Sequence, residues 1–244
     1  MLSTVASNVT GRMRHYWDER ARVNAPWYVD TSLSFDDPDM AKFFETGERI
    51  VAEALDGAPA TPARTEVALE IGSGLGRIVK ALASRFDRVI GVDISEEMIR
   101  QATKLVDEPR VSFVHGEGEG LAGIDDDSVD LVLSFTVFQH IPDPEVVEAY
   151  IREAGRVLRP GGVLSFQWNN TPGARRWAAR RAVLATLQRT GIHKEQHDRH
   201  APEFLGCRVP LPRIDAALKA GGLERVGLKG EDTLYAWAWA RATG

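Results

Sequence analysis

The amino-acid sequence predicts an α/β protein with a doubly wound, mostly parallel β-sheet. Short apolar segments alternate with longer amphipathic ones between Val67 and Trp168. A turn with three closely spaced glycines follows the first apolar segment, where the ligand crevice of an open α/β sheet usually begins. Such alternation is typical of right-handed crossovers and of a sheet that is covered by helices on both faces.

Five apolar segments are predicted strands: 67–72, 88–95, 110–116, 129–135 and 161–168. Between these strands, apolar residues recur at the spacing of a helix, which predicts helices over 76–86, 96–106 and 144–158. Beyond residue 210, "LPRIDAALKAGGLERVGL" and "DTLYAWAWARA" predict one more helix and two closing strands.

Residues 1–60 are polar and rich in aromatic side chains. Their second half predicts a helix, which Asp37 or Asp39 would cap and which Gly57 would end. The segment "GAPATPAR" then breaks the chain with two prolines. We therefore predict an N-terminal helical unit over 1–60 and an α/β core over 61–244, with an insertion over 171–210.

The composition is that of an ordinary globular protein, with 43% hydrophobic and 27% charged residues among 244. Cys207 is a single cysteine and forms no internal disulfide, and the N-terminus lacks a secretory signal. No apolar stretch approaches the roughly 18 residues that a membrane span needs. We expect a cytoplasmic protein with no membrane partner. The net charge of -5 also argues against nucleic acid as a partner. The oligomeric state is left open.

The glycine turn "LEIGSGLGR" predicts close contact between backbone and ligand. Gly72, Gly74 and Gly76 stand at every second position, whereas a dinucleotide site has the pattern G-x-G-x-x-G and would need glycine in place of Arg77. Asp93 ends the second predicted strand, where a carboxylate can accept hydrogen bonds from both ribose hydroxyls of an adenosine. The ligand is therefore expected to be an adenosine compound rather than a dinucleotide.

The segment Glu70–Gly76, with the pattern E-x-G-x-G-x-G, and the following "GVDIS" resemble the class I S-adenosylmethionine-dependent methyltransferases. "HGEGEGL", "DDDSVDLVLSFTVFQHIPDP" and "VLRPGG" match the same family in order. The resemblance implies a seven-stranded sheet of order 3-2-1-4-5-7-6 with an antiparallel last hairpin. It also implies an enzyme that moves the methyl group of S-adenosylmethionine to an O, N or C atom of a small-molecule acceptor.

The same resemblance implies the site residues. In the cofactor site it places three glycines at the methionine, an acid at the ribose, two apolar residues on the adenine faces and two residues at the adenine edge: Gly72, Gly74, Gly76, Asp93, Ile94, Met98, Glu117 and Gly118. Glu70, which begins the motif, is also expected to bind the cofactor. Ser134, Tyr16 and Tyr28 complete the expected cofactor site. Gln139 and His140 are the polar side chains expected beside the reacting atoms.

Other interpretations of several residues stay open. Ile94 and Met98 could be core residues, Glu117 a solvated acid, and His140 a group that orients the loop before Pro142. Tyr16 and Tyr28, with Trp17 and Trp27, are expected to close the cofactor cleft as an N-terminal lid, since aromatic faces favour a cation. Alternatively, these rings only dock the N-terminal unit onto the core.

The insertion over 171–210 occupies the place where this family binds its acceptor. Between 173 and 200 it has seven basic residues and two acids, which favours an acceptor with a carboxylate or phosphate. The basic residues are Arg175, Arg176, Arg180, Arg181, Arg189, Lys194 and Arg199. They could instead form the wet face of a helix whose apolar side is Trp177, Val183, Leu184 and Leu187.

His193, His197 and His200 share the spacing of one helix face, but "HKEQH" lacks the H-E-x-x-H pattern of a zinc peptidase. We therefore predict no metal site. Two other functions remain open: an NAD-dependent oxidoreductase, which the position of Gly76 disfavours, and a non-catalytic protein that binds S-adenosylmethionine.

Overall fold

The computed structural model describes residues 4–173, 179, 182–183, 186, 199 and 201–243. Two helices precede the sheet: α1 (Thr4–Val29) and α2 (Met40–Leu55). The first half of the core comprises β1 (Val67–Ile71), α3 (Arg77–Leu82), β2 (Arg88–Asp93), α4 (Glu96–Leu105), β3 (Val111–His115) and β4 (Val129–Ser134). After a 3-10 turn (Phe138–His140) follow α5 (Pro144–Val157), β5 (Leu158–Trp168), α6 (Pro202–Leu205), α7 (Leu211–Ala220), β6 (Leu223–Lys229) and β7 (Ala236–Ala242).

The seven strands form one sheet in the order β3-β2-β1-β4-β5-β7-β6. The pairs from β3 through β5 are parallel, and β7 lies antiparallel between β5 and β6. This confirms the predicted α/β class and strand order. The winding direction reverses between β1 and β4, so the turns after these strands border a crevice at the carboxyl edge of the sheet.

The predicted strand positions agree with the structure, and β5 shows the largest difference. It begins at Leu158, three residues before the predicted start, because a register shift between Val129 and Leu131 lets Leu158 pair with Val129. The predicted helix over 76–86 ends early, at Leu82, and a turn follows in which the Phe86 amide donates to the Leu82 carbonyl.

Short polar side chains define where the helices begin. Asp39 caps α2, where its Oδ1 accepts hydrogen bonds from the amides of Ala41 and Lys42 at 2.9 and 3.0 Å. Ser95 caps α4 and Asp143 caps α5 in the same way. Of Asp37 and Asp39, the two caps that the sequence allows, Asp39 is therefore the one that caps α2.

The two N-terminal helices pack on different parts of the core. On one face of the sheet, α2 packs with α3, and the Trp239 indole donates to the Ala54 carbonyl at 3.1 Å. Helix α1 packs on α4, where Asp18 Oδ1 accepts from the Ser95 hydroxyl at 2.6 Å and from the Glu97 amide at 3.1 Å. Because Ser95 follows the tip of β2 directly, this contact holds α1 beside the carboxyl edge of the sheet.

Helix α1 is two helical pieces joined by a kink. Asn24 has φ -166° and ψ 78°, and Pro26 follows inside the helix. The side-chain Oδ1 of Asn24 accepts from the Trp27 amide at 3.1 Å and so caps the second piece. None of the described helices is long and apolar enough to cross a membrane.

Candidate active site

A cavity of about 530 Å³ opens at the carboxyl edge of the parallel strands. Its walls come from the glycine turn, the tip of β2, the loop after β4, helix α1 and helix α6. Of the predicted site residues, nine line it: Glu70, Gly72, Gly74, Asp93, Ile94, Met98, Gln139, His140 and Tyr28. The volume lies within the range of small-ligand and cofactor pockets.

Two of the glycines allow close approach of neighbouring chain segments. Gly72 has φ +74°, and a Cβ there would lie 2.3 Å from Val137 Cγ2. Gly74 has φ +50°, and a Cβ there would lie 2.8 Å from Val29 Cγ2. The loop after β4 and the end of α1 therefore both pack onto the glycine turn, which only glycine permits.

Asp93 joins the glycine turn to the tip of β2. Its Oδ2 accepts a hydrogen bond from the Gly74 amide and its Oδ1 accepts one from the Ser95 amide, both at 2.8 Å. Burial raises the pKa of this carboxyl. Each carboxylate oxygen has a second acceptor position, so Asp93 can still accept two hydroxyl groups of a ribose.

Glu70 is a buried acid with one unused oxygen. Its side chain is 2% exposed, and Oε2 has no hydrogen-bond partner among the described residues. Burial raises the pKa of Glu70 well above its ordinary value, although the charge of Arg77 opposes this shift. The neighbouring Ser73 hydroxyl is also buried without a described partner. An unpartnered acid and hydroxyl fit a ligand with an ammonium group.

Arg77 connects the glycine turn with the N-terminal helices. Its guanidinium forms an ion pair with Asp30 and donates to the Thr46 hydroxyl at 2.8 Å and to the Val29 carbonyl at 3.2 Å. The side chains of Arg77 and Asp30 are 7% and 12% exposed. The segment after α1 is therefore fixed over the cavity by a buried ion pair.

The loop after β4 forms the opposite wall. Thr136 has φ +56°, a left-handed conformation that costs a β-branched residue about 1–3 kcal/mol. Gln139 is 3% exposed, and its Oε1 has no partner among the described residues. The ring of His140 lies 5.6 Å from that of Trp17 and 4.9 Å from that of Phe204. Strain and unpartnered polar atoms at one wall are typical of a functional site.

Five predicted residues lie outside the cavity wall: Gly76, Ser134, Tyr16, Glu117 and Gly118. Gly76 begins α3 and packs on β3, since a Cβ there would lie 2.8 Å from Phe113 Cζ. The Ser134 hydroxyl is buried and donates to the Ile71 carbonyl at 3.4 Å, which links β4 to β1. These contacts explain both residues by packing alone.

Of the other three, Tyr16 belongs to α1, and Glu117 and Gly118 lie beside that helix. Tyr16 is buried, and the guanidinium of Arg20 lies over its ring at 5.3 Å, so a cation of the protein itself already occupies this aromatic face. The Glu117 side chain is exposed. Gly118 is buried behind a wall residue, because a Cβ there would lie 2.5 Å from Ile94 Cδ1. Their roles at the cofactor stay predictions.

The sequence did not single out several wall residues as site residues: Ser73, Phe135, Thr136, Arg49, Phe204 and Tyr235. Arg49 is exposed on α2, and Tyr235, 54% exposed, precedes β7. Neither residue belongs to a local motif. For Tyr235 the strand order offers a signal. Because β7 is antiparallel, it begins at the edge where the parallel strands end, so a residue just before it lies near the cavity.

Much of the predicted acceptor-binding insertion lies outside the described residues, including Arg175, Arg176, Arg180, Arg181, Arg189, Lys194, His193, His197, His200, Trp177, Leu184 and Leu187. Arg199 is described; it lines the cavity and lies 5.5 Å from the Trp27 ring. Val183, predicted for an apolar helix face, is 57% exposed. Among the described residues, no group of three or more His, Cys, Asp or Glu could hold a metal ion.

Comparison with known proteins identifies the core. Residues 69–166 match the family model of a methyltransferase domain. We call residues 69–166 the methyltransferase domain after this match. The cavity of about 530 Å³ borders this segment, and nine of the predicted site residues line it.

Curated relatives of the methyltransferase domain act on different acceptors. Trans-aconitate 2-methyltransferase of Azoarcus sp. is 32% identical over 163 residues, which cover 61% of this chain and 60% of that protein. The tRNA 5-carboxymethoxyuridine methyltransferase of Escherichia coli is 34% identical over 109 residues, which cover 43% and 41%. The chain thus matches between two fifths and three fifths of the length of these relatives.

Solved structures share the fold of the methyltransferase domain. One is a methyltransferase in complex with the Haloferax volcanii Trm112 activator, with a TM-score of 0.60, 19% identity, and coverage of 93% of this chain and 99% of that one. Another is magnesium protoporphyrin IX methyltransferase of Synechocystis with bound SAH, with a TM-score of 0.52, 18% identity, and coverage of 81% and 82%.

The buried acid of the methyltransferase domain predicts a pH-dependent stability. Because the pKa of Glu70 is raised in the folded state, the cofactor-free folded protein binds more protons than the unfolded chain above about pH 4.5. Stability should therefore fall as pH rises from about 4.5 through the raised pKa. Urea unfolding at about pH 5 and pH 8 should show a smaller loss in Glu70→Gln; equal losses would contradict the assignment.

Proposed function

We propose that this chain transfers the methyl group of S-adenosylmethionine to a small-molecule acceptor. The observation that carries the proposal is the arrangement of Glu70 and Asp93 around one cavity at the glycine turn of a methyltransferase domain. Two acids in the wall of one cavity suit the ammonium and the ribose of the cofactor. An NAD-dependent oxidoreductase receives no comparable support.

S-adenosylmethionine supplies an electrophilic methyl group on a sulfonium. The residues of this chain would bind and orient it: Asp93 at the ribose, Glu70 at the ammonium, and Ile94 with Met98 along the adenine. Positioning of the acceptor beside the methyl group can supply on the order of 7–11 kcal/mol in well-oriented cases. The ion pair of Arg77 with Asp30 keeps the segment after α1 closed over the cavity and so excludes water.

We further infer an acceptor with an anionic group. Arg49 lines the cavity and makes no ion pair with any described acid. Of the acids in the cavity wall, we assign Glu70 and Asp93 to the cofactor, and Asp30 forms an ion pair with Arg77. The charge of Arg49 is therefore left for the acceptor. The relative that acts on trans-aconitate supports a carboxylate at this position. Gln139 and His140 would lie beside the acceptor atom.

Two measurements test this function. Calorimetric titration should show binding of S-adenosylhomocysteine and no comparable binding of NAD. An acceptor screen that detects S-adenosylhomocysteine release should then give turnover, with carboxylates such as trans-aconitate and hydroxylated acids such as 3,4-dihydroxybenzoate as first probes. Tight NAD binding without S-adenosylhomocysteine binding would contradict the cofactor, and binding without turnover of any acceptor would favour the non-catalytic alternative.

A further inference from the structure

The ring of His140 is held in a fixed orientation at the cavity. Its Nδ1 lies within hydrogen-bond distance of the Phe204 carbonyl oxygen. Because a carbonyl oxygen only accepts, Nδ1 carries the proton in this contact. In a neutral imidazole the other nitrogen, Nε2, then bears the lone pair. Nε2 has no hydrogen-bond partner among the described residues, and His140 lines the cavity wall.

The segment that supplies the carbonyl is fixed to the loop after β4. Gly206 has φ +56°, and a Cβ there would lie 1.8 Å from the Gln139 carbonyl oxygen. The Cys207 amide donates to the Ile141 carbonyl at 2.9 Å. Further along, the Trp168 indole donates to the Val209 carbonyl at 3.0 Å. The end of the insertion therefore determines the orientation of the His140 ring through backbone contacts.

Packing and charge favour a neutral ring. His140 lies edge-on to Trp17 of α1 and beside Phe204 of α6. Burial lowers its pKa, and no charged side chain opposes that shift. The nearest charge on α6, Glu203, forms an ion pair with Arg12 of α1 at 3.2 Å. The other ionisable groups of the cavity wall are Glu70, Asp93, Asp30, Tyr28, Tyr150, Tyr235, Arg49, Arg77 and Arg199.

We propose that His140 is the general base of the reaction, with the Phe204 carbonyl as its positioning group, and that the methylated atom of the acceptor carries a dissociable proton. This inference rests on the proposed function and narrows its substrate class to hydroxyl or amine acceptors. Nε2 takes the acceptor proton while the acceptor lone pair forms the new bond to the methyl carbon. The carbon–sulfur bond breaks with its electron pair on sulfur, and the imidazolium then releases its proton to water.

The protonation of the ring is measurable without an acceptor. In the whole chain labelled with [¹⁵N]histidine, the His140 signals are those that His140→Asn removes. We expect a protonated Nδ1 and a bare Nε2 at neutral pH, with or without S-adenosylhomocysteine. A bare Nδ1, or a charged ring at neutral pH, would overturn the proposal even if cofactor binding and methyl transfer were found.

Kinetics of His140→Asn give the second test. Asparagine can keep the donor to the Phe204 carbonyl while it removes the base, so S-adenosylhomocysteine affinity should stay within about twofold. With the acceptor found by the screen, kcat should fall by roughly 10²- to 10⁴-fold. The variant rate should rise again with pH as the acceptor ionises by itself.

His15→Asn, an exposed histidine on α1, is the matched control and should leave kcat unchanged. A wild-type kcat and pH profile in His140→Asn would overturn the proposal. So would a screen in which only acceptors without a dissociable proton at the methylated atom, such as carboxylates, are methylated. If the wild-type protein did not bind S-adenosylhomocysteine, that result would contradict the proposed function rather than the role of His140.

Discussion

Replacement of Arg77 by methionine is expected to lower the free energy of unfolding by about 3–5 kcal/mol, because removal of one partner of a buried ion pair leaves the other charge uncompensated. Asp30 is the charge that remains, and Thr46 and the Val29 carbonyl each lose a donor. Methionine keeps much of the apolar stem, so the loss reports on the polar contacts. Urea unfolding of the cofactor-free protein measures it.

Arg85→Met is the matched control for this prediction. Arg85 also pairs with an acid, Asp56, but their side chains are 44% and 54% exposed. Exposed ion pairs contribute about 0–1 kcal/mol, so this variant should unfold almost like the wild type. Equal losses in both variants would mean that burial does not determine the strength of the Arg77 pair.

The same substitution should also affect the cavity. The Arg77 pair fixes the segment after α1, and Val29 of that segment packs on Gly74 of the glycine turn. Release of this segment opens the cavity to water, so S-adenosylhomocysteine affinity should fall in Arg77→Met and stay constant in Arg85→Met. The stability and the binding measurement thus report on one contact.

The sequence predicts the sheet well because each strand is a short apolar run between punctuating turns. Gly72, Gly74 and Asp93 reach one cavity for a general reason, since the carboxyl ends of neighbouring parallel strands share an edge. The strand order could not be obtained from periodicity alone; it came with the family resemblance. The ends of β5 and α3 were missed because a register shift and a terminal turn leave no strong sequence signal.

The acceptor side was harder to predict because tertiary packing determines it. Tyr16 and Trp17 are adjacent, yet successive side chains of a helix point about 100° apart, and only Trp17 lines the cavity. Arg49 and Tyr235 reach the wall through the packing of α2 and the direction of β7. Thr136 has a left-handed backbone that its residue type disfavours, so no propensity argument would have identified it.

Replacement of Asp93 by alanine is expected to weaken S-adenosylhomocysteine binding by about 2–4 kcal/mol, roughly 30- to 700-fold, because two charge-assisted hydrogen bonds to the ribose are lost. The same carboxylate also holds the Gly74 and Ser95 amides. Its removal therefore loosens the glycine turn as well as the ribose contact. Calorimetric titration measures the affinity, and urea unfolding measures the structural part separately.

Asp143→Ala separates the two effects of the Asp93 substitution. Asp143 is an acid at the same edge of the sheet that caps α5, with its Oδ1 2.8 Å from the Glu145 amide, and it lies outside the cavity wall. Its loss should cost about 0.5–2 kcal/mol of stability and leave the affinity unchanged. Wild-type affinity in Asp93→Ala would contradict the ribose assignment. Equal weakening in both variants would mean that lost stability, rather than a lost ribose contact, explains the effect.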